Sequence, residues 1–95
     1  MNLFRKYSYS SKINDLIEKS KHLGLAEKHI KDAKELLEHN ESGLCLDTIL
    51  ENLYEYDVEI DSAFLVTLYE LLGAENSDNK WYYDLSKKLK LNNKK

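Results

Sequence analysis

The chain has 95 residues, a formal net charge of -3, one cysteine, three glycines and no proline, with 42% hydrophobic and 33% charged residues. That supports one small folded domain with a modest core and excludes a two-domain enzyme built around an interdomain cleft. Nowhere do about 18 consecutive apolar residues occur that could span a bilayer, and the lone Cys45 cannot close an internal disulfide. With so little turn punctuation the expectation is an all-α fold: a compact bundle of about five short helices in one domain over 1–95.

Residues 1–9, MNLFRKYSY, show no clear period and read as a lead-in. Ser10 or Ser11 can cap a first helix carrying Ile13, Leu16, Ile17 and Ser20 at helical spacing and ending near Gly24. A second helix is predicted from Leu25 or Ala26 to about Asn40. Its inner face is Ala26, Ile30, Ala33, Leu36 and Leu37, with Glu27/Lys31 and Lys31/Glu35 as i, i+4 pairs outside. Asn40, Ser42 or Gly43 can form the turn.

The next helix, Leu44 to Tyr56, is the element with most to say. At about 100° per residue it gathers Cys45, Leu46, Ile49, Leu50 and Leu53 on one side and stacks Asp47, Glu51 and Glu55 on another. Asp57 to Asp61 form a short connection in which Val58 and Ile60 alternate with acids and turn back toward the core. Asp61 or Ser62 caps a fourth helix through Leu72, with Phe64, Leu65, Leu68, Tyr69, Leu71 and Leu72 apolar and Gly73 as its stop. After a polar loop, Lys80 to Leu89 repeats the helical pattern with Trp81, Leu85 and Leu89, and residues 90–95 fray.

Charge is segregated along this chain. Between Glu35 and Glu75 there are 11 acidic residues and no Lys or Arg, while all 14 basic residues lie outside that window. A carboxylate stripe is often an ordinary solvated helix face, and lysines returning from either end could neutralise it. Yet aligned like charges cost a few tenths of a kcal/mol per i, i+4 pair on an isolated helix. Tolerating them makes sense if the field attracts and selects a cationic partner. Tyr54 and Tyr56 flank the stripe, and tyrosine is a favoured interface anchor, although it also covers core edges with its hydroxyl in water.

The remaining chemistry is sparse. His22, His29 and His39 lack zinc-type pairing, and no metal or cofactor is implied. Glu51 and Glu55 have nothing evident to enclose a substrate, and neither a phosphate-binding glycine loop nor a nucleophile motif occurs, so no enzyme activity is expected. The basic ends are interrupted by acids, which argues against direct nucleic-acid binding.

One set of residues carries a family likeness: Leu37-Glu38-His39-Asn40-Glu41, Gly43-Leu44-Cys45-Leu46-Asp47, then Leu50, Leu53, Glu55, Val58, Ile60, Trp81 and Leu85. This pattern, over roughly 25–85, resembles the MafI-type immunity proteins of polymorphic-toxin systems. It departs at Ser42, often aromatic there, at Cys45 for alanine and at Asp47 for glutamate. The resemblance implies a cytoplasmic protein that binds and neutralises the toxic C-terminal domain of a cognate secreted effector. It supplies no binding residues.

Charge and tyrosine placement instead select Asp47, Glu51, Tyr54, Glu55, Tyr56, Glu59 and Asp61 as the partner-binding surface. A nuclease, which must hold phosphates with Lys and Arg, is the toxin class this surface fits. The alternatives are a helical adaptor that self-associates through the fourth helix and the tyrosines Tyr69 and Tyr82, and a nucleic-acid-associated regulator using the basic ends.

Overall fold

A computed structural model of the chain describes residues 3–74 and 87–90, the side chains of 3–9 and 72–74 excepted. Four helices follow one another: α1 (Leu3–Leu23), α2 (Glu27–Glu38), α3 (Ser42–Glu55) and α4 (Ser62–Ala74). The fold is all-α, with four helices where about five were expected. The fifth, over 80–89, lies mostly outside the described residues; at its end Lys87 and Lys88 are helical and the chain bends at Leu89.

The ends of the helices follow from local chemistry. Gly24, Asn40 and Asp57 adopt positive φ of 110°, 61° and 58°, just past the ends of α1, α2 and α3. Each turn is closed by the same pair of bonds. After α2, the Asn40 N–H donates to the Leu37 carbonyl at 3.1 Å and the Glu41 N–H to that of Leu36 at 2.8 Å. Equivalent bonds run from Gly24 to Lys21 and Leu25 to Ser20, and from Asp57 to Tyr54 and Val58 to Leu53. This is the Schellman arrangement, which satisfies carbonyls that a helix end would otherwise leave bare. Only one of the three left-handed positions is glycine; Asn and Asp are the side chains that tolerate that conformation best.

Some boundaries differ from the sequence expectation: α3 begins at Ser42 and not at Leu44, so Ser42 and Gly43 of the expected turn lie within the helix. The lead-in is absent as a separate segment, because α1 begins at Leu3 and Ser10 and Ser11 lie within it. No proline or glycine interrupts residues 3–23, and extending a helix already nucleated costs far less than starting one. Gly73 does not stop α4, which continues to Ala74; a glycine in a last turn weakens a helix by about 1 kcal/mol but ends it only by turning left-handed.

Asp61 does cap α4: its Oδ1 accepts the Phe64 N–H at 2.9 Å. Replacing it, as Asp61→Ala, is expected to lower stability by about 1 kcal/mol, read as a shift of the urea midpoint at constant slope.

The buried faces match the helical periods. α1 buries Ile13, Leu16, Ile17 and Ser20, α2 buries Ile30 and Ala33 with Leu36 and Leu37 half-buried, and α3 buries Cys45, Leu46, Ile49, Leu50 and Leu53; Ala26, expected on the inner face of α2, is instead the exposed residue that precedes it. Ser20 tolerates complete burial because its Oγ donates to the Leu16 carbonyl at 2.8 Å, leaving no hydroxyl proton unpaired. On α4, Phe64, Thr67, Leu68 and Leu71 face inward, whereas Val66 and Tyr69 are exposed. Tyr69 was expected on the apolar face; α4 packs chiefly on one neighbour, α1, and so buries a narrower stripe than its composition suggests.

Spatially, α1 is the shared element. It packs against α2, α3 and α4, while α2 and α3 form the most extensive pairing around the tight turn at 39–41. The α2–α3 pair packs on α1, and the acidic positions Glu51 and Glu55 of α3 are left exposed. The connection after α3 is anchored separately. Ile60 is buried, and its N–H donates to the Lys90 carbonyl at 2.8 Å, so the returning segment 87–90 is held beside the α3–α4 loop with Leu89 in the core.

Cys45 sits wholly inside this core, and burial pushes its thiol up from an ordinary 9.0 to about 11. It is expected to resist alkylation by iodoacetamide at pH 8 until urea unfolds the chain. Because the folded-state value is the higher one, the stability linked to this thiol is present below about pH 9 and lost as pH rises toward 11. A Cys45→Ala variant should lack that alkaline component in urea melts taken across the same pH range.

Candidate functional site

The seven residues chosen from charge and tyrosine content lie on α3 and the loop that follows it. Glu51, Tyr54, Glu55, Tyr56, Glu59 and Asp61 are exposed, and Asp47 is half-buried. This follows from α3 burying Leu46, Ile49, Leu50 and Leu53 against α1 and α2, which turns the positions between them outward. Leu44, 51% exposed, lies among the acids and gives the surface an apolar point.

The two tyrosines border the stripe on opposite sides. Tyr56 stacks on His29 of α2, ring centroids 5.2 Å apart and planes inclined by 29°. Tyr54 faces the returning C-terminal segment, where the Lys88 ammonium stands 6.0 Å from its ring centroid. Both rings remain about half exposed, at 57% and 49%.

Among the described residues, lysines pair with part of the acidic field. Lys90 pairs with Asp57 at 3.5 Å, and Lys12 reaches from α1 to Glu70 at 3.1 Å. These pairs are largely solvated and stabilise little, but each removes charge from the acidic field. Among the described residues Glu51, Glu55 and Glu59 have no ion pair. Unpaired carboxylates thus remain on the exposed face of α3 and in its exit loop, as they do on α2. Asp61 belongs to the edge of this surface and also holds the α4 cap.

Beside the stripe the structure adds a feature that the reading of single helices did not identify. Between α2 and α3 runs an open groove of about 540 Å³, lined by His29, Asp32, Glu35, Leu36, His39, Thr48 and Asn52. The pairs Glu27/Lys31 and Lys31/Glu35 expected on α2 are not formed; Lys34 instead crosses to Glu18 of α1 at 3.4 Å. Asn52 donates its Nδ2 to the Thr48 carbonyl at 2.8 Å, which fixes the amide within the groove. The signal was present in the spacing Thr48, Asn52, Tyr56 and in His29, Asp32 and Leu36, each set on one helical face. Which two faces meet is a matter of packing.

Fold and surface together define a small all-α domain with an acidic, tyrosine-bordered face. Among the described residues no group of three or more His, Cys, Asp or Glu is arranged to hold a metal ion, and no helix is long and apolar enough to cross a membrane. No family model, curated protein or solved structure matches the chain. What the surface does is therefore argued from its own chemistry.

Proposed function

We propose that this is a cytoplasmic immunity protein, which binds a cognate secreted toxin domain and neutralises it by covering a basic surface. The observation that carries this reading is the set of exposed carboxylates Glu51, Glu55 and Glu59, without an ion pair among the described residues, on the helix and exit loop that also carry the exposed rings of Tyr54 and Tyr56. The family likeness of residues 25–85 to MafI-type immunity proteins supports the same reading.

The mechanism is occlusion, with no chemistry performed by this chain. Carboxylates at this density steer a cationic partner into contact, and the tyrosines supply desolvated contact area once it arrives. A nuclease is the partner class that the charge fits, because it must present Lys and Arg to bind phosphate and a carboxylate face competes for those groups.

Growth rescue tests this without assuming the site. The toxic C-terminal domain encoded beside this gene is induced with and without the protein. Rescue with a stable one-to-one complex is the expected result; no rescue from an active toxin, with the protein folded and abundant, rejects the pairing.

A second reading has its own observation. Val66 is 57% and Tyr69 41% exposed on α4, away from the acidic face, as a self-associating adaptor would require. Sedimentation across a wide concentration range decides it: a monomer throughout removes that reading.

A further inference from the structure

The groove between α2 and α3 has a chemistry distinct from that of the acidic stripe. The geometry points to it as a receptor for a single arginine side chain, presented by the protein partner that the stripe attracts. This inference rests on the immunity reading for the partner's identity but not for the chemistry of the groove.

Four features select a guanidinium. First, the lining is rich in acceptors on both walls. Asp32 and Glu35 line the groove from α2 without an ion pair among the described residues; Lys34, next to Glu35, is drawn to Glu18 of α1, and Lys31 pairs with neither. Second, Asn52 uses its Nδ2 on the Thr48 carbonyl, which fixes the amide and leaves its Oδ1 as an acceptor on the α3 wall.

Third, one wall is a flat ring: His29 is held in place by its stack on Tyr56. A planar cation can lie against a ring while donating along its edge, and an ammonium on a flexible stem cannot do both. Fourth, the volume of about 540 Å³ and the open mouth admit a side chain inserted from a partner seated on the neighbouring stripe. Guanidinium offers five donors in one plane, enough to reach acceptors on two helices at once.

The groove can be tested without the toxin. Nα-acetylarginine amide is titrated into the isotope-labelled full chain, with Nα-acetyllysine amide as a probe of equal charge, and backbone and side-chain resonances are followed by NMR. The arginine probe is expected to give a saturable response centred on His29, Asp32 and the Asn52 side-chain amide, with the lysine probe binding about fivefold or more weakly. Asp32 and Glu35 are exposed, so the pair Asp32→Asn and Glu35→Gln should leave the fold intact while removing the response. A Glu51→Gln, Glu55→Gln control should keep it.

Equal responses to the two probes, a response centred on the α3 stripe, or one surviving in the Asp32→Asn, Glu35→Gln protein would each overturn the assignment. Growth rescue separates the two levels. Rescue by a protein whose groove ignores arginine overturns the groove and leaves immunity standing; a groove that binds arginine in a protein that rescues nothing supports the groove and rejects the partner.

Discussion

Phe64→Ala is expected to cost about 3–5 kcal/mol, the largest effect of any single truncation considered for this domain. Phe64 is fully buried, and it follows the α4 cap, its own N–H being the one that Asp61 accepts. Removing the ring leaves a cavity between α4 and α1, and α1 cannot close it without loosening from α2 and α3, which it also supports. A chain of this length has a total stability of about 5–14 kcal/mol, so the variant should be marginal or unfolded at 37 °C. Urea denaturation followed by circular dichroism measures it. Val66→Ala, two residues on and exposed, provides the contrast and should fall within about 0.5 kcal/mol of the parent. A small loss at Phe64 would mean that α4 is a peripheral helix and not part of the core.

The second large effect concerns binding. On the proposed immunity function, reversing two stripe charges together, as Glu51→Lys with Glu55→Lys, is expected to weaken the complex with a cognate toxin domain by about 10- to 100-fold. Most of the loss should appear in the association rate at low salt and shrink as ionic strength rises, because exposed charges act over a Debye length of about 8–10 Å. Stability should not fall. Like charges at i, i+4 remain in the reversed pair, so the repulsion of about 0.2–0.5 kcal/mol is exchanged for one of similar size. Surface plasmon resonance at two salt concentrations, with a urea melt of the same preparation, separates the two quantities. A folded double variant that binds the toxin as the parent does would remove α3 from the interface.

The same surface shows how a chain can carry opposite charges at its two ends of use. The acids of α3 and its exit loop are met by Lys90 at Asp57 and by Lys88 at the Tyr54 ring, both from the returning C-terminal segment. These contacts sit at one border of the stripe and leave Glu51, Glu55 and Glu59 in the open. Among the described residues the acidic field is therefore reduced at Asp57 and not cancelled.

Much of this was legible from residue order. The buried positions of α1 and α3, including the serine at 20 and the cysteine at 45, follow from a 3.6-residue period that any amphipathic helix must satisfy. Asp61 as a cap follows from its carboxylate standing three residues before an N–H in need of an acceptor. The exposure of Glu51, Tyr54, Glu55 and Tyr56 follows in turn, because burying one side of a helix presents the other.

Three things required the tertiary structure. Asn40 and Asp57 could have been ordinary loop residues; their left-handed turns are closed by bonds from the following residue's N–H, Glu41 to Leu36 and Val58 to Leu53. Whether lysines distant in sequence return to the acidic stripe depended on the Ile60 to Lys90 bond that holds the segment there. The groove exists because α2 and α3 meet along particular faces, bringing His29 to Tyr56 and Asp32 and Glu35 opposite Thr48 and Asn52. A sequence specifies the period and therefore the face of each helix, through side-chain chemistry that is local. It does not specify which faces meet, since that is decided by the joint packing of all the helices, and a site made of two faces comes into being only there.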